Sequence, residues 1–363
     1  MNCVTLPGFV DLHAHFREPG FSMKETVRTG ALAARRGGYS AVCTMPNLNP
    51  APDSLGHLQG QLDIIRRDAC VTVIPAGAIT KHQAGRGALS DMAALAPYVC
   101  GFSDDGRGIQ DGNLMREAMR IAKALNKPII AHCEDEALLR GGYIHGGAYA
   151  KKHGHKGISG ESEWAQLRRD LALVEETGCA YHMCHASTKE SVALLREAKR
   201  KGLPVTAETA PHYLLLTDED LEDDGKFKMN PPIRSIDDQA ALLEGILDGT
   251  IDCIATDHAP HTRAEKSLGL QGSAFGIVGL ETAFPVLYTY LVRKDMLSLD
   301  KLIGLMSRNP HKLLESWMGR EIPPGEHIWD LDRQYAVDPD QFLSMGRATP
   351  FEGWNVFGGL LCD

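Results

Sequence analysis

Short apolar segments of strand-like composition alternate with helix-like segments over most of the chain. The strand-like segments begin at Phe9, Tyr39, Cys70, Tyr98, Lys127, Ala180, Leu203 and Ile251. Between two of them, residues 114–125 have apolar side chains at helical spacing. Repeated strand–helix units favour a parallel sheet covered by helices, and eight such units favour an α/β fold of the (β/α)8 TIM barrel class.

An open, doubly wound sheet is the alternative architecture for such a repeat. A dinucleotide-binding sheet of that kind shows a Gly-x-Gly-x-x-Gly run after its first strand. The turn after residues 9–15 has no such run. The barrel is therefore the predicted fold.

The ends of the chain and one internal stretch do not follow the repeat. We predict a barrel over residues 8–318, with residues 1–7 and 319–363 as terminal extensions packed on it. The tail after Met318 contains Pro323, Pro324, Pro339 and Pro350 and is predicted to be irregular. Residues 141–160 are rich in Gly, His and Lys and are predicted to form a surface loop.

The net charge and the cysteine content limit the classes of binding partner and the cellular compartment that the sequence predicts. The formal net charge is −9, which disfavours nucleic acid because phosphate binding needs a basic surface. No apolar stretch is long enough to predict a membrane span. The nine cysteines, Cys362 among them, include no Cys-x-x-Cys pair, and the N-terminus lacks a secretion signal. We therefore expect a cytoplasmic protein with free thiols.

Histidine and aspartate residues stand at the ends of several predicted strands. His13 and His15 are two residues apart, so both point to one face of the first strand. The other candidates follow four further strands: Asp104 or Asp105, His132, His185 and Asp257. Because barrel enzymes place their chemistry at the carboxyl ends of the strands, we expect these side chains to meet there.

Imidazole and carboxylate groups in this number suit Zn²⁺ or a similar ion. Six protein ligands exceed what one zinc ion normally takes, so the pattern predicts two ions per chain that share a carboxylate and a hydroxide. Such a centre makes a nucleophile from water near neutral pH and polarises a carbonyl group.

Eight ordered motifs between residue 8 and residue 281 resemble the dihydroorotases of the amidohydrolase superfamily, in the bacterial form in which an aspartate bridges the metals. The motifs are Gly8-Phe-Val-Asp-Leu-His-Ala-His-Phe-Arg-Glu-Pro-Gly20, Thr44-Met-Pro-Asn-Leu-Asn-Pro50, Phe102-Ser-Asp-Asp-Gly106, Ala131-His-Cys-Glu-Asp135, Cys184-His-Ala-Ser-Thr-Lys-Glu190, Lys228-Met-Asn-Pro-Pro-Ile-Arg234, Ile254-Ala-Thr-Asp-His-Ala-Pro-His261 and Phe275-Gly-Ile-Val-Gly-Leu-Glu281. A further familiar stretch, Thr349-Pro-Phe-Glu-Gly353, extends the resemblance towards the end of the chain.

The resemblance implies a reaction, which is the reversible cyclisation of N-carbamoyl-L-aspartate to L-dihydroorotate in pyrimidine biosynthesis, with a hydroxide held by two metal ions as the nucleophile. It implies the following roles: His13, His15 and Asp257 on one metal, His132 and His185 on the other, Asp105 as the bridge, Asp257 as the catalytic acid and base, and Arg17, Asn47, Asn230 and His261 as substrate-binding residues. The spacing to the His132 motif favours Asp105 over Asp104 as the bridge.

The chain departs in two places from the pattern of the family that it resembles. Relatives begin with half of a small β-sandwich, which we expect to be reduced or missing here, with residues 1–7 and 319–363 as its remnant. Relatives also commonly have a second histidine where this chain has Tyr213. Two other functions stay open: a different cyclic amidohydrolase (a dihydropyrimidinase or an allantoinase), and a non-catalytic partner of aspartate transcarbamoylase. A homodimer is a further candidate assembly.

Overall fold

A closed barrel of eight parallel strands forms the body of the computed structural model, which describes residues 2–361. The barrel strands are Phe9–Ala14, Tyr39–Thr44, Thr72–Pro75 continued by Gly77–Ala78, Phe102–Ser103, Ile129–Ala131, Tyr181–Met183, Val205–Thr209 and Cys253–Ile254. Neighbouring strands pair in parallel, within one three-stranded and one six-stranded sheet. The third barrel strand belongs to both sheets, through Thr72–Pro75 in the first and Gly77–Ala78 in the second. A parallel bridge between Ala14 and His258 joins the first strand to the segment after the last one. The predicted barrel is confirmed.

Helices separate most of these strands. The α-helices are Val27–Arg36, Leu55–Asp68, Met92–Leu95, Gly112–Ala124, Ala148–His153, Glu161–Thr177, Lys189–Arg200, Pro211–Leu215, Ile236–Asp248, Arg263–Lys266, Gly269–Gly272, Ala283–Leu287, Leu299–Ile303 and Asn309–Met318. Two π-helical segments, Tyr288–Val292 and Gly304–Arg308, continue two of them. Short 3₁₀ turns lie at Lys81–Gln83, Ala96–Tyr98, Glu136–Leu138, Asp218–Asp220, Gly225–Phe227 and Pro339–Gln341.

The barrel interior is filled by small and branched apolar side chains. One buried cluster takes Val10 and Leu12 from the first strand and one or two residues from each of several other strands. Helix Asn309–Met318 packs beneath it, where the carbonyl of Trp317 accepts a hydrogen bond from buried Lys127 at the start of a strand. The opposite end of the barrel, where the strands finish, carries the polar residues.

A three-stranded antiparallel sheet stands beside the barrel. Its strands are Cys3–Pro7, Glu326–Ala336 and Asn355–Leu360, with the longest in the middle. Trp329 packs on Phe284, with ring centroids 4.4 Å apart, and a Cβ at Gly38 would lie 2.4 Å from its indole. The expectation of an irregular tail was therefore wrong for 17 residues, because the prolines fall outside the two strands. The division into a barrel over residues 8–318 and extensions stays a prediction.

Residues 141–160 are not the simple surface loop that their composition predicts. Strands Ile144–His145 and Gly157–Ile158 pair in parallel around helix Ala148–His153. A Cβ at Gly157 would come within 2.2 Å of the Gly146 Cα, so glycine here permits close backbone packing. Composition alone does not separate this use of glycine from a loop.

The cysteines of the described residues are free thiols. The eight cysteines within residues 2–361 form no disulfide, and Cys362 lies outside the described residues, as do Met1 and Asp363. Within the described residues, no helix is both long and apolar enough to span a membrane.

Candidate metal centre

Six histidine and aspartate side chains converge where the barrel strands end, and each is at most 6% exposed. The first group is His13, His15 and Asp257. Oδ1 of Asp257 lies 3.1 Å from His15 Nε2 and 3.5 Å from His13 Nε2. All three atoms lie close enough to one another to bind one cation.

The second group is Asp105, His132 and His185. His132 Nδ1 lies 3.0 Å from His185 Nε2, and Asp105 Oδ1 lies 3.7 and 3.8 Å from these two nitrogens. The same Asp105 oxygen is 3.4 Å from His13 Nε2 in the first group. Asp105 therefore stands between the two groups, at the position that a bridging carboxylate needs.

Two buried atoms without hydrogen-bond partners indicate whether a metal ion fits this cluster. His13 Nε2 and Asp105 Oδ1 are buried, and neither has a hydrogen-bond partner. Buried polar atoms are rarely left without a partner, because each one costs the desolvation free energy of that group. Unpaired imidazole nitrogen and carboxylate oxygen atoms that face one another are the donor set of a divalent metal site, so these residues fit the group that the sequence predicts.

Adjacent aspartates in the Phe102–Gly106 motif have different environments. The Asp104 carboxylate accepts hydrogen bonds from the backbone N–H groups of Ile79 and Gly85 and from the hydroxyl of Thr80. It holds the loop after the third strand, because its hydrogen bonds all come from Ile79, Thr80 and Gly85 of that loop. Asp105 is the one that reaches the cluster, as its spacing to the His132 motif favoured.

Glu208 is a site residue that the sequence analysis missed. Its carboxylate lies 2.9 Å from His13 Nδ1 and 3.1 Å from Nε2 of the buried His182. Burial raises the pKa of Glu208, but the hydrogen bonds from His13 and His182 outweigh it and lower the pKa to about 2. An ionised Glu208 accepts a hydrogen bond from the Nδ1–H of His13, which leaves the lone pair of Nε2 free to bind a metal. The available signal in the sequence was its place near the carboxyl end of a barrel strand, where the six candidate ligands also lie.

The backbone is strained at three residues of this rim. The φ angles of Arg17, His185 and Asp257 are +41°, +33° and +48°, in the left-handed region that non-glycine residues rarely adopt. Asp11 helps to hold this geometry, since its carboxylate accepts the N–H of His13 and the N–H and hydroxyl of Thr256. Such strain persists only where surrounding contacts impose it, and it concentrates at functional sites.

The four predicted substrate-binding residues all lie around the cluster. Arg17 Nη2 is 3.3 Å from His261 Nε2. Asn47 donates to the carbonyl of Asp105 at 2.8 Å, and Asn230 donates to Glu134 at 2.8 Å with its amide nitrogen 3.5 Å from His132 Nε2. Burial lowers the pKa of Arg17 to about 10, so it stays cationic at neutral pH. The arrangement offers a cation and hydrogen-bond donors beside the metal ligands.

Tyr213 has a structural role in place of the second histidine that relatives have. Its hydroxyl donates a hydrogen bond to the carbonyl of Pro231 at 2.6 Å, and its ring is buried. It therefore supports the segment that carries Asn230 and contacts none of the six candidate ligands through a hydrogen bond.

Comparison with known proteins places this geometry in a family. A model of the dihydro-orotase-like family matches residues 2–191. The dihydroorotase of Fusobacterium nucleatum is 52% identical over 97% of this chain and 83% of its own length, and that of Anoxybacillus flavithermus is 49% identical over the same shares. The chain belongs to the dihydroorotase family. Within that family it is a metal-dependent cyclic amide hydrolase.

The fold comparison agrees. The L-hydantoinase (dihydropyrimidinase) of Arthrobacter aurescens superposes with a TM-score of 0.86 at 25% identity, and the match covers 98% of this chain and 82% of that one. The dihydroorotase family therefore shares its barrel with hydantoinases.

Proposed function

We propose that this chain catalyses the dihydroorotase reaction, in which N-carbamoyl-L-aspartate closes reversibly to L-dihydroorotate with loss of water. The observation that carries the proposal is the buried rim cluster, which consists of His13, His15, Asp105, His132, His185 and Asp257. In this cluster Asp257 lies between two imidazoles, and Asp105 lies between the two candidate metal-binding groups. Its substrate is a small anion, which agrees with the cationic Arg17 beside the cluster.

In this proposal two zinc ions occupy the cluster. His13, His15 and Asp257 would hold one ion, His132 and His185 the other, and Asp105 would bridge them. When bound, the ions supply a water of lowered pKa and polarise the carbonyl group that is attacked.

Asp257 is the proposed catalytic acid and base. Burial raises its pKa, but the contacts with His15 and with the other imidazoles outweigh burial and hold the pKa well below its usual range. The carboxylate is therefore ionised at neutral pH, which is the form that a general base requires. In the hydrolytic direction it takes the proton of the attacking water and delivers it to the leaving ring nitrogen, and in the biosynthetic direction it does the reverse.

The remaining polar residues position the substrate. Arg17 and His261, with Asn47 nearby, present donors to the substrate carboxylate, and the planar guanidinium matches a carboxylate in two hydrogen bonds. Asn230, whose amide lies beside His132, contacts the ring amide or the carbamoyl group. All four residues are half-buried, so their side chains remain accessible to a small substrate.

The test is hydrolysis of L-dihydroorotate by the purified protein, with metal content measured on the same sample before and after chelation. We expect turnover, about two zinc ions per chain, loss of activity with chelator and recovery with zinc. Dihydrouracil and allantoin serve as comparison substrates, and preference for either of them would contradict the proposal. Bound metal without turnover of any substrate would favour the non-catalytic alternative.

The assembly and the location of the protein stay predictions. We expect a homodimer, or a complex with aspartate transcarbamoylase, in the cytoplasm and with free thiols.

A further inference from the structure

Lys24 reaches the proposed substrate-carboxylate site, although no motif assigned it a role there. It precedes the first helix, and its Nζ lies 3.2 Å from His261 Nδ1. The other ring nitrogen of His261, Nε2, faces Arg17 Nη2 at 3.3 Å. One imidazole therefore lies between two cationic side chains.

Two donors compete for this single ring. Burial, with Arg17 and Lys24 next in effect, lowers the pKa of His261 to about 3, so the ring is neutral at physiological pH. A neutral imidazole has one lone-pair acceptor and one N–H donor, whereas lysine and arginine only donate. Only one of the two contacts is therefore a hydrogen bond.

The neighbouring contacts indicate which one it is. Lys24 Nζ is held by Glu265 Oε1 at 2.6 Å, which orients the ammonium against Nδ1. The rival partner for Nδ1 is Glu265 Oε2, but it is 3.6 Å away and already accepts the N–H and hydroxyl of Thr262 at 3.0 and 2.9 Å. The geometry makes Nδ1 the acceptor, so the proton is on Nε2 and points towards Arg17.

We propose that Lys24 is a positioning residue that keeps His261 in the Nε2–H tautomer, so that His261 and Arg17 together offer converging donors to a substrate carboxylate. A carboxylate placed between Nε2 and the guanidinium accepts from both and separates two donors that oppose each other without it. Its link to the substrate rests on the proposed function, whereas the tautomer is a property of the protein itself.

The first experiment measures the tautomer directly. Nitrogen NMR of the zinc-loaded protein labelled with ¹⁵N-histidine, with the His261 signals assigned through His261→Asn, distinguishes a protonated from a bare ring nitrogen. We expect a protonated Nε2 and a bare Nδ1 in the wild type, and the reverse in Lys24→Met, where only Arg17 remains as donor. A protonated Nδ1 in the wild type overturns the proposal whether or not the variant folds.

The second experiment separates positioning from chemistry. For L-dihydroorotate hydrolysis, Lys24→Met is expected to raise KM about tenfold and to leave kcat within about twofold, since the lost donor orients the ground state and the transition state alike. Lys199→Met is the matched control. Lys199 is similarly exposed (23% against 20%) and makes one carboxylate contact at 2.7 Å and one neutral contact at 3.1 Å, far from the rim.

The outcomes distinguish this inference from the proposed function. Wild-type turnover of dihydroorotate with an unchanged KM in Lys24→Met overturns the inference and leaves the function standing. An inactive wild type defeats the proposed function, and the tautomers of the wild type and Lys24→Met then decide the positioning role.

Discussion

Two sets of buried polar side chains share the carboxyl end of the barrel and differ in how their hydrogen bonds are satisfied. In the anchoring set, Glu163 accepts from the backbone or hydroxyl groups of Ser187, Thr188 and Ser191, and Asp104 accepts from three residues of one loop. In the rim cluster, His13 Nε2 and Asp105 Oδ1 have no partner.

This contrast separates stability from function among residues of the same type and the same burial. A carboxylate whose partners are all within the protein holds loops in place, because the hydrogen bonds that it accepts are lost when those loops move. Unfilled hydrogen-bonding capacity costs free energy unless a ligand takes it up. The anchoring set therefore supports the loops that carry the rim cluster.

The largest effect is expected from Asp257→Asn. The amide cannot accept the proton of the attacking water, so kcat for dihydroorotate hydrolysis falls by about 10³-fold, within the range for loss of a general base. The melting temperature changes little, because Asp257 belongs to the rim and not to the anchoring set. A kcat near that of the wild type would remove Asp257 from its role.

The paired variants Asp105→Asn and Asp104→Asn test the contrast most directly. Asp105→Asn is expected to lower metal affinity by about a hundredfold with little loss of stability, because it removes a charged ligand. Asp104→Asn is expected to keep the metal and to lose about 2 kcal/mol of unfolding free energy, since an amide cannot accept all the bonds to the loop. Metal content and urea unfolding of both variants provide the measurement, and the opposite pattern would break the comparison.

Arg17→Ala tests the substrate side of the rim. Loss of a charge-assisted pair to the substrate carboxylate is expected to raise KM for dihydroorotate by about thirtyfold, with the metal content retained. Steady-state kinetics at saturating zinc measures it. An unchanged KM would place Arg17 outside the binding site.

The smallest effect is expected from Glu208→Gln, which sharpens the comparison because Glu208 contacts one residue of the rim cluster, His13, and one buried histidine outside it, His182. It satisfies His182 as an anchor and orients His13 for metal binding. Removal of its charge makes His13 a weaker ligand, so zinc affinity falls by about tenfold. Competition with a chromogenic chelator measures the affinity, and wild-type affinity would limit Glu208 to a structural role.

Several parts of the structure could be predicted from the chain alone. The eight strands and the meeting of His13, His15, His132, His185 and Asp257 follow from periodicity and from strand-end position, which are local properties. Glu208 was missed although it stands near the carboxyl end of a strand, because its role depends on His13, which is 195 residues away. Lys24 was missed because it precedes a helix and its partner His261 is 237 residues away, so no local pattern marks it. The tail strand Glu326–Ala336 was missed because nearby prolines dominated the interpretation of that region.

The amino-acid sequence by itself determined the strand–helix repeat, the polar residues at the strand ends and the family. Strand and helix periodicity and ordered motifs are local properties of the sequence, so they can be recognised without the structure. Tertiary structure alone decided which groups remain unpaired. In the first strand, for example, the pairing register shifts between Asp11 and Ala14, in the stretch that carries His13. Whether a carboxylate anchors a loop or binds a metal depends on which atoms surround it in space, and only the closed barrel brings those atoms together.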